Sequence, residues 1–525
     1  MTSPARLMQA AEPEIDVAIV GYGPVGQALA GLLGAAGHRV AAFERHDEVY
    51  RLPRAVHLDH EIMRLLQRLG VAGAVAGDML ATSEYHWLGA DGAPLMTLTA
   101  PVPAASGWES DYLFFQPALE AELDACARRC DSVSVERGWT AEDLAQDADG
   151  ATLKLQRDGE TRAVRARWVV GADGANSVVR DVLGIPRRDL GFRERWFVVD
   201  VEPADMTALD LPAGCQWCDP RRPTTHVQSG RRHRRWEFML LPDERAEDFG
   251  EERAWELLAP WFAPGDGRLT RCAVYEFRSM LAERLRDGRA LVIGDAAHLT
   301  PPFLGQGLCA GLRDAANLAW KLDLVLRGAA PDALLDTLEP ERQPQTEWFI
   351  AFAVELGKVL CELDPEKAAQ RDATLRSAEP PPALAPAPLG TGGALHRDGD
   401  PLAGALAVQG RIAREGREGL LDDLTGGGFT LIARSGAPLM ALAPDERAVL
   451  DALGAAVVSL DPAAPSGARD CDGRMTAWLD EAGVHAVLVR PDFYVFGCAA
   501  TPADLPALVR DLRAGLALST PTPIP

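Results

Sequence analysis

Three glycines, Gly21, Gly23 and Gly26, stand in GYGPVG between the β-branched run IDVAIV and the small-residue stretch PVGQALAGLLGAAG. That spacing suits a pyrophosphate. The first glycine permits a tight turn, the second lets backbone approach the phosphates, and the third lets a helix pack close to its strand. Pro24 and Val25 open that helix, whose first amides then face the anion. Glu44 follows about twenty residues on, where a carboxylate accepts hydrogen bonds from ribose hydroxyls. A glycine-rich turn without a ligand has no need of that acid.

A second set lies in GRALVIGDAAHLTPPFLGQGLCAGLRDAANLAWKL, from Gly288. Gly294 and Asp295 close a strand and are followed by alanines, so the carboxylate can hold polyol hydroxyls. Pro301 and Pro302 stiffen the next loop. Gly305, Gln306 and Gly307 let backbone lie flat against a ring, and a long helix starts there with Leu308. Its positive end would stabilise an anion formed on that ring. A third segment, GADGANSVVR at 171–180, follows strand-like RARWVV and carries Asp173.

These groups need a frame. Residues 15–20 read as a buried parallel strand, 24–37 as a helix and 38–43 as the next strand, which makes a βαβ unit. Between 189 and 278 the runs RWFVVDVEP, RRWEFMLLP and RCAVYEFR read as an antiparallel sheet inserted between two parts of the nucleotide-binding domain. In 307–326, Leu308, Leu312, Ala315, Ala319 and Leu322 mark one helix face. EPPPALAPAPLGTGG reads as a linker. Beyond it FTLIAR, AVVSL and HAVLVRPDFYVFG alternate with helix patterns around Asp445 and Leu505. The expected fold class is α/β plus α+β. A Rossmann-like domain (1–188 and 279–376) carries the inserted sheet (189–278), and a linker (377–396) leads to a small α/β domain (397–525).

A net charge of −23 over 525 residues argues against nucleic acid and anionic membrane as partners. Nine scattered cysteines make no disulfide framework. The CxxC of Cys215 and Cys218 lacks the partner set of a zinc site, so no metal is expected. MTSPARLMQAAEPEID has no apolar h-region, which reads as a cytoplasmic, soluble protein.

The three motifs, in this order over residues 1–360, resemble the group A flavoprotein monooxygenases, the single-component aromatic hydroxylases of the p-hydroxybenzoate hydroxylase fold. Within that group LPRAVHLDHE, WCDPRRP, RRWEFMLLP and GLRDAANLAWKL followed by DALLDT are most similar to the 3-(3-hydroxyphenyl)propionate hydroxylases. The resemblance implies FAD on the motifs above, O₂ as co-substrate and transient NADH or NADPH, there being no second GxGxxG. It implies that one oxygen atom enters a phenolic ring, ortho to the hydroxyl, through a flavin hydroperoxide. The implied substrate is a small aromatic such as 3-(3-hydroxyphenyl)propionate or a related hydroxylated acid. Arg45 and Arg54 are then candidates for the adenosine and pyrophosphate part, Gln116 for the flavin chain, and Asp173 for FAD and nicotinamide together. Pro302 counts with both the flavin contacts and the catalytic set.

The ring hydroxyl needs a base. His57 is the first candidate and Tyr275 the second, with His226 and Tyr85 behind them. In RRHRRWEF, Arg234 or Arg235 could hold a substrate carboxylate, although a charge run more often marks a solvated sheet edge. Cys309 stands where the family usually has Asn, and reads as a thiol packed under the ring rather than a covalent link to it. The family resemblance makes the last domain thioredoxin-like. It lacks a CxxC, so packing or subunit contact, as in a homodimer, is expected of it. Two other functions share these motifs: a tailoring oxygenase of a polyketide or other aromatic natural product, and a flavin-binding scaffold without catalysis.

Overall fold

The computed structural model describes residues 15–48, 52–379, 387–390 and 399–518. Residues 1–14 of the N-terminal stretch read for a signal peptide, and 380–386 and 391–396 of the linker, lie outside the described residues.

Ile15–Val20, a run of β-branched residues, becomes the centre of a parallel sheet. Glu160–Gly171 and Ala290–Val292 lie on one side of it, and Val40–Glu44 and Val133–Arg137 on the other. Parallel strands covered on both faces read as continuous apolar runs. Ile19, Ala42, Val170 and Leu291 are accordingly fully buried. The helices Pro24–Ala35, Gln116–Arg128 and Gly307–Leu326 pack together beside this sheet. Small residues make the approach close. An added Cβ at Gly26 would lie 2.2 Å from the Gly21 carbonyl oxygen, and one at Gly311 2.7 Å from Val25.

The second sheet has eight strands, in the order His298–Leu299, Gly267–Ala282, Arg187–Pro203, His233–Met239, Thr224–Ser229, Gly214–Trp217, Glu84–Leu88 and Pro94–Thr99. The sheet expected within 189–278 is therefore larger. Its central strands span Arg187 to Ala282, and it recruits the hairpin of residues 84–99 and the edge strand His298–Leu299, both of which the sequence reading assigned to the nucleotide-binding domain. The hairpin joins through a parallel pair, Cys215 to His86, in an otherwise antiparallel sheet.

Beyond residue 399 a four-stranded sheet runs Ala456–Ser459, Thr430–Ala433, Ala486–Val489, Val495–Ala499, with only the first pair parallel. Pro444–Ala452, Arg474–Glu481 and Leu505–Gly515 are its helices. This unit is bound to the rest by buried charge. Arg64 pairs with Asp422 at 2.6 Å, and Arg490 with Glu341 at 2.7 Å, where Lys321 also donates at 2.9 Å. Breaking one buried pair typically costs about 3–5 kcal/mol. The helix Gly307–Leu326 differs from its expected one-faced pattern. It is buried nearly all round, and Arg313, Asp314, Asn317 and Lys321 find charged or polar partners inside.

Candidate active site

The two sheets enclose a cavity of about 880 Å³, at the upper end of the range for small-molecule sites. The glycine motif forms part of its wall. Gly21 has φ +94°, and an added Cβ would meet the Ala172 carbonyl oxygen at 2.4 Å, so only glycine fits. Gly23, Pro24 and Val25 line the cavity, and Gly26 packs behind it. Glu44 lines it too, oriented by the amides of Tyr22 and His46, which donate to its carboxylate at 2.9 and 3.0 Å. Arg45, Arg54 and Asp295 share the lining, and Asp295 is exposed there.

Gln116 also lines the cavity. Its side-chain oxygen accepts from the amides of Arg54 at 2.8 Å and Ala55 at 2.7 Å, so it shapes the backbone that carries Arg54. Asp173 caps the short helix Val178–Val182 by accepting from the Val179 amide at 3.2 Å. Its other oxygen is buried without a partner among the described residues, and burial pushes the carboxyl pKa up. Gly294, at φ +62°, lies behind the lining and donates its amide to Asp314 at 3.0 Å. The cavity-lining carboxylates of Glu44 and Asp295, the cradle of glycine backbone and the helix start without acidic residues fit a dinucleotide with a polyol chain, and so fit FAD.

Pro302, Gly305, Gln306, Gly307 and Leu308 form the loop and helix start along the cavity. Two devices hold this loop. In the first, His57 Nδ1 donates to the Gly305 carbonyl oxygen at 3.2 Å, and its Nε2 donates to Asp111 at 2.7 Å. Both partners accept only, so both ring nitrogens carry protons and the ring is an imidazolium. Burial opposes that charge, but Asp111, with Cys309 beside it, outweighs burial and holds the pKa well above its ordinary value. His57 thus lines the cavity as a brace of the loop, and its nitrogens are already committed. Expected as the first base, it has another task here.

In the second device, Arg313 donates to Gln306 Oε1 at 2.9 Å and to Glu61 at 2.7 Å, and it also pairs with Asp59. Tyr494, from the C-terminal unit, donates to the other oxygen of Glu61 at 2.9 Å. Cys309 is fully buried under the loop, its sulfur 3.8 Å from the Gly305 carbonyl oxygen, which matches a packing thiol.

The antiparallel sheet is the opposite wall. Side chains alternate across a strand, so Arg235 and Glu237 face the cavity while Arg234 and Trp236 face away. Arg234 is therefore a correction. Its guanidinium is 3.2 Å from His226 and donates to the Met206 carbonyl at 2.9 Å, out of a substrate's reach. His226 shares that far face, and burial lowers its pKa to about 3. Arg235 lines the cavity but is spent. It binds Asp200 at 2.7 Å and donates to the backbone carbonyls of Pro53 and Arg54, which ties the cofactor-side loop to the sheet. Tyr275 lines the cavity with Arg271 stacked 4.5 Å over its ring, and Tyr85 lines it with Gln216 donating to its hydroxyl at 3.2 Å. Cys215 and Cys218 are separate buried thiols whose pKa burial pushes up to about 12.

Sequence reasoning missed Asp111, Glu61, Arg313, Tyr494, Gln216, Thr225 and Glu237. The one local signal was the alternation in RRWEF, which puts Glu237 on the face of Arg235.

A sheet that carries the dinucleotide-type glycine turn and a second, antiparallel sheet thus face each other over one cavity. A family model described as "FAD binding domain" matches residues 14–353, and one described as "HcaD C-terminal domain" matches 404–515. The chain is 38% identical over 528 residues to a "Probable NADH-specific resorcinol 4-hydroxylase" of Rhodococcus jostii (strain RHA1), with 98% of each chain covered. It is 35% identical to a 3-(3-hydroxy-phenyl)propionate/3-hydroxycinnamic acid hydroxylase of Burkholderia vietnamiensis (strain G4 / LMG 22486), over 91% of this chain and 93% of that one. Among solved structures, aklavinone-11 hydroxylase in complex with FAD and aklavinone superposes with TM-score 0.78 at 28% identity, covering 97% of this chain and all of that one. The chain belongs to the FAD-binding domain family, as a single-component flavoprotein aromatic hydroxylase that uses FAD, a reduced nicotinamide and O₂. No helix among the described residues is long and apolar enough to cross a membrane.

Proposed function

We propose that the protein hydroxylates a small phenolic ring ortho to its hydroxyl, with NADH as reductant. One observation carries this reading. The loop Pro302–Leu308 and the sheet residues Tyr85, Thr225, Glu237 and Tyr275 line the same cavity, so a ring can lie between cofactor and sheet. FAD, when bound, supplies hydride acceptance and activation of O₂. The chain does the rest. Gly21–Gly26, Glu44 and Asp295 bind the dinucleotide, and Gly305–Leu308 orient its ring. His57 and Arg313 fix that loop, Arg235 fixes the Pro53–Arg54 backbone, and Phe303, packed at 5.7 Å on Trp196, excludes water from one side.

Relatives named for resorcinol and for 3-(3-hydroxyphenyl)propionate supply the two substrates to try first. An aromatic natural product is the second reading, favoured by the likeness to aklavinone-11 hydroxylase and by the size of the cavity. We take 1–188 with 279–376 as the FAD-binding unit and 189–278, with the 84–99 hairpin, as the substrate sheet. We take 397–525 as a thioredoxin-like unit without a CxxC, a reading its strand order supports. The test is NADH oxidation by the FAD-loaded protein with each phenol and with none. Stimulation with a hydroxylated product supports the proposal. Reducible flavin with no stimulation by either phenol removes the small-phenol reading.

A further inference from the structure

Three polar side chains stand in one row on the cavity face of the antiparallel sheet. Gln216 is paired with Thr225 across one strand boundary, and Thr225 with Glu237 across the next, so all three project to the same side. All three line the cavity and are nearly closed to solvent, at 1%, 4% and 7% exposure. The fold leaves them under-used. Thr225 Oγ1 and Gln216 Oε1 have no hydrogen-bond partner among the described residues. Glu237 accepts no hydrogen bond there either. Its nearest cation, Arg235 Nη1, is 3.8 Å away and already donates to the Arg54 carbonyl. Buried polar atoms are nearly always paired, and a row that is not calls for an explanation. Val198, Val227 and Phe277 around it are apolar. An apolar pocket with a few convergent polar groups is built to orient a ring.

Geometry narrows the ring. Neighbouring strands lie about 4.8 Å apart, and two meta hydroxyl oxygens on benzene are also about 4.8 Å apart. We infer that Gln216, Thr225 and Glu237 are the specificity-determining row that receives the ring hydroxyls of a 1,3-dihydroxylated benzene. Glu237 accepts the hydrogen of one hydroxyl, and Thr225 with Gln216 engages the other. A carboxylate gains nothing against Glu237, so any acidic substituent points away from this row. The inference rests on the hydroxylase reading and adds its substrate class.

The test compares resorcinol with phenol on the FAD-loaded enzyme. Binding is read by tryptophan fluorescence, turnover by NADH oxidation with product mass. The wild type should bind resorcinol about tenfold or more tightly than phenol, the second hydroxyl being worth at least one hydrogen bond. Glu237→Gln and, separately, Thr225→Val should bring that ratio close to one, mainly by weakening resorcinol. FAD content and far-UV dichroism show whether each variant is folded, and the two variants back each other. A wild type indifferent to the second hydroxyl overturns the inference, as does a ratio unchanged in a folded variant. If 3-(3-hydroxyphenyl)propionate is hydroxylated while neither variant alters any phenol's binding, the row assignment falls and the hydroxylase reading stands. If no phenol binds or is turned over, both fall.

Discussion

Replacing Gly305 by alanine tests how the flavin-side loop is held. Gly305 has φ +66°, and its added Cβ would lie 2.6 Å from His57 Nδ1 and 2.8 Å from its Cγ. The left-handed backbone alone costs a non-glycine residue about 1–2 kcal/mol. The contact adds a second cost, because His57 cannot retreat freely while Asp111 holds it at 2.7 Å. Forcing a side chain off its rotamer costs about 0.5–1.5 kcal/mol. The sum is about 1.5–3.5 kcal/mol, or roughly a 13- to 370-fold loss of affinity where the loop must be in place. Withdrawing the loop from the cavity relieves the strain, so it appears in FAD binding rather than in the fold. Titrating apoprotein with FAD by fluorescence quenching measures it. The double variant with His57→Ala removes the contact but keeps the backbone cost, and should recover about half of the loss relative to His57→Ala alone. Affinity for FAD within threefold of wild type in Gly305→Ala would refute the argument, and so would a double variant that recovers nothing.

Tyr494→Phe deletes the bond to Glu61 and should lower stability by about 1.5–3 kcal/mol in urea unfolding, the range for a bond to a charged group; a midpoint equal to wild type would show that the C-terminal unit does not brace Glu61. His57 is held above its ordinary pKa of 6.5, so its pair with Asp111 adds stability fully present below about pH 6.5 and lost as pH rises through the folded value. The Tm difference between wild type and Asp111→Asn should therefore be largest near pH 6 and shrink at alkaline pH, and a constant difference contradicts the charged pair. Arg235→Met leaves Asp200 buried with only Arg271, 3.6 Å away, and should cost about 3–5 kcal/mol and weaken FAD binding. Arg234→Met, on the far face, should leave substrate KM unchanged; a raised KM would return Arg234 to the site.

The parts of this molecule legible in sequence are those whose reasons are local. A glycine needed by a turn, an acid at the next strand end and a proline-stiffened loop are each marked by the residues next to them, so Gly21, Glu44 and Asp295, which line the cavity, could be picked out from sequence. Parallel pairing leaves no such trace, and the 84–99 hairpin joined the antiparallel sheet unseen. Charge patterns misled for the same reason. RRHRRWEF looks like a solvated edge, yet Arg235 is buried on Asp200 and on the backbone of Pro53. The polar side of 307–326 looks like a helix surface, yet Arg313 and Lys321 answer Glu61 and Glu341 from distant elements. His57 was found by its chemistry, but its partners Asp111 and Gly305 are remote in sequence and could not be.

In the proposed function, one cavity brings a phenol to the flavin for oxygen insertion. Turnover of resorcinol under ¹⁸O₂ with NADH, with the product's mass determined, tests it most directly. One labelled oxygen atom on the ring and NADH consumed in step with product are expected. Labelled hydrogen peroxide without ring product, or a protein that takes up no FAD, would contradict it.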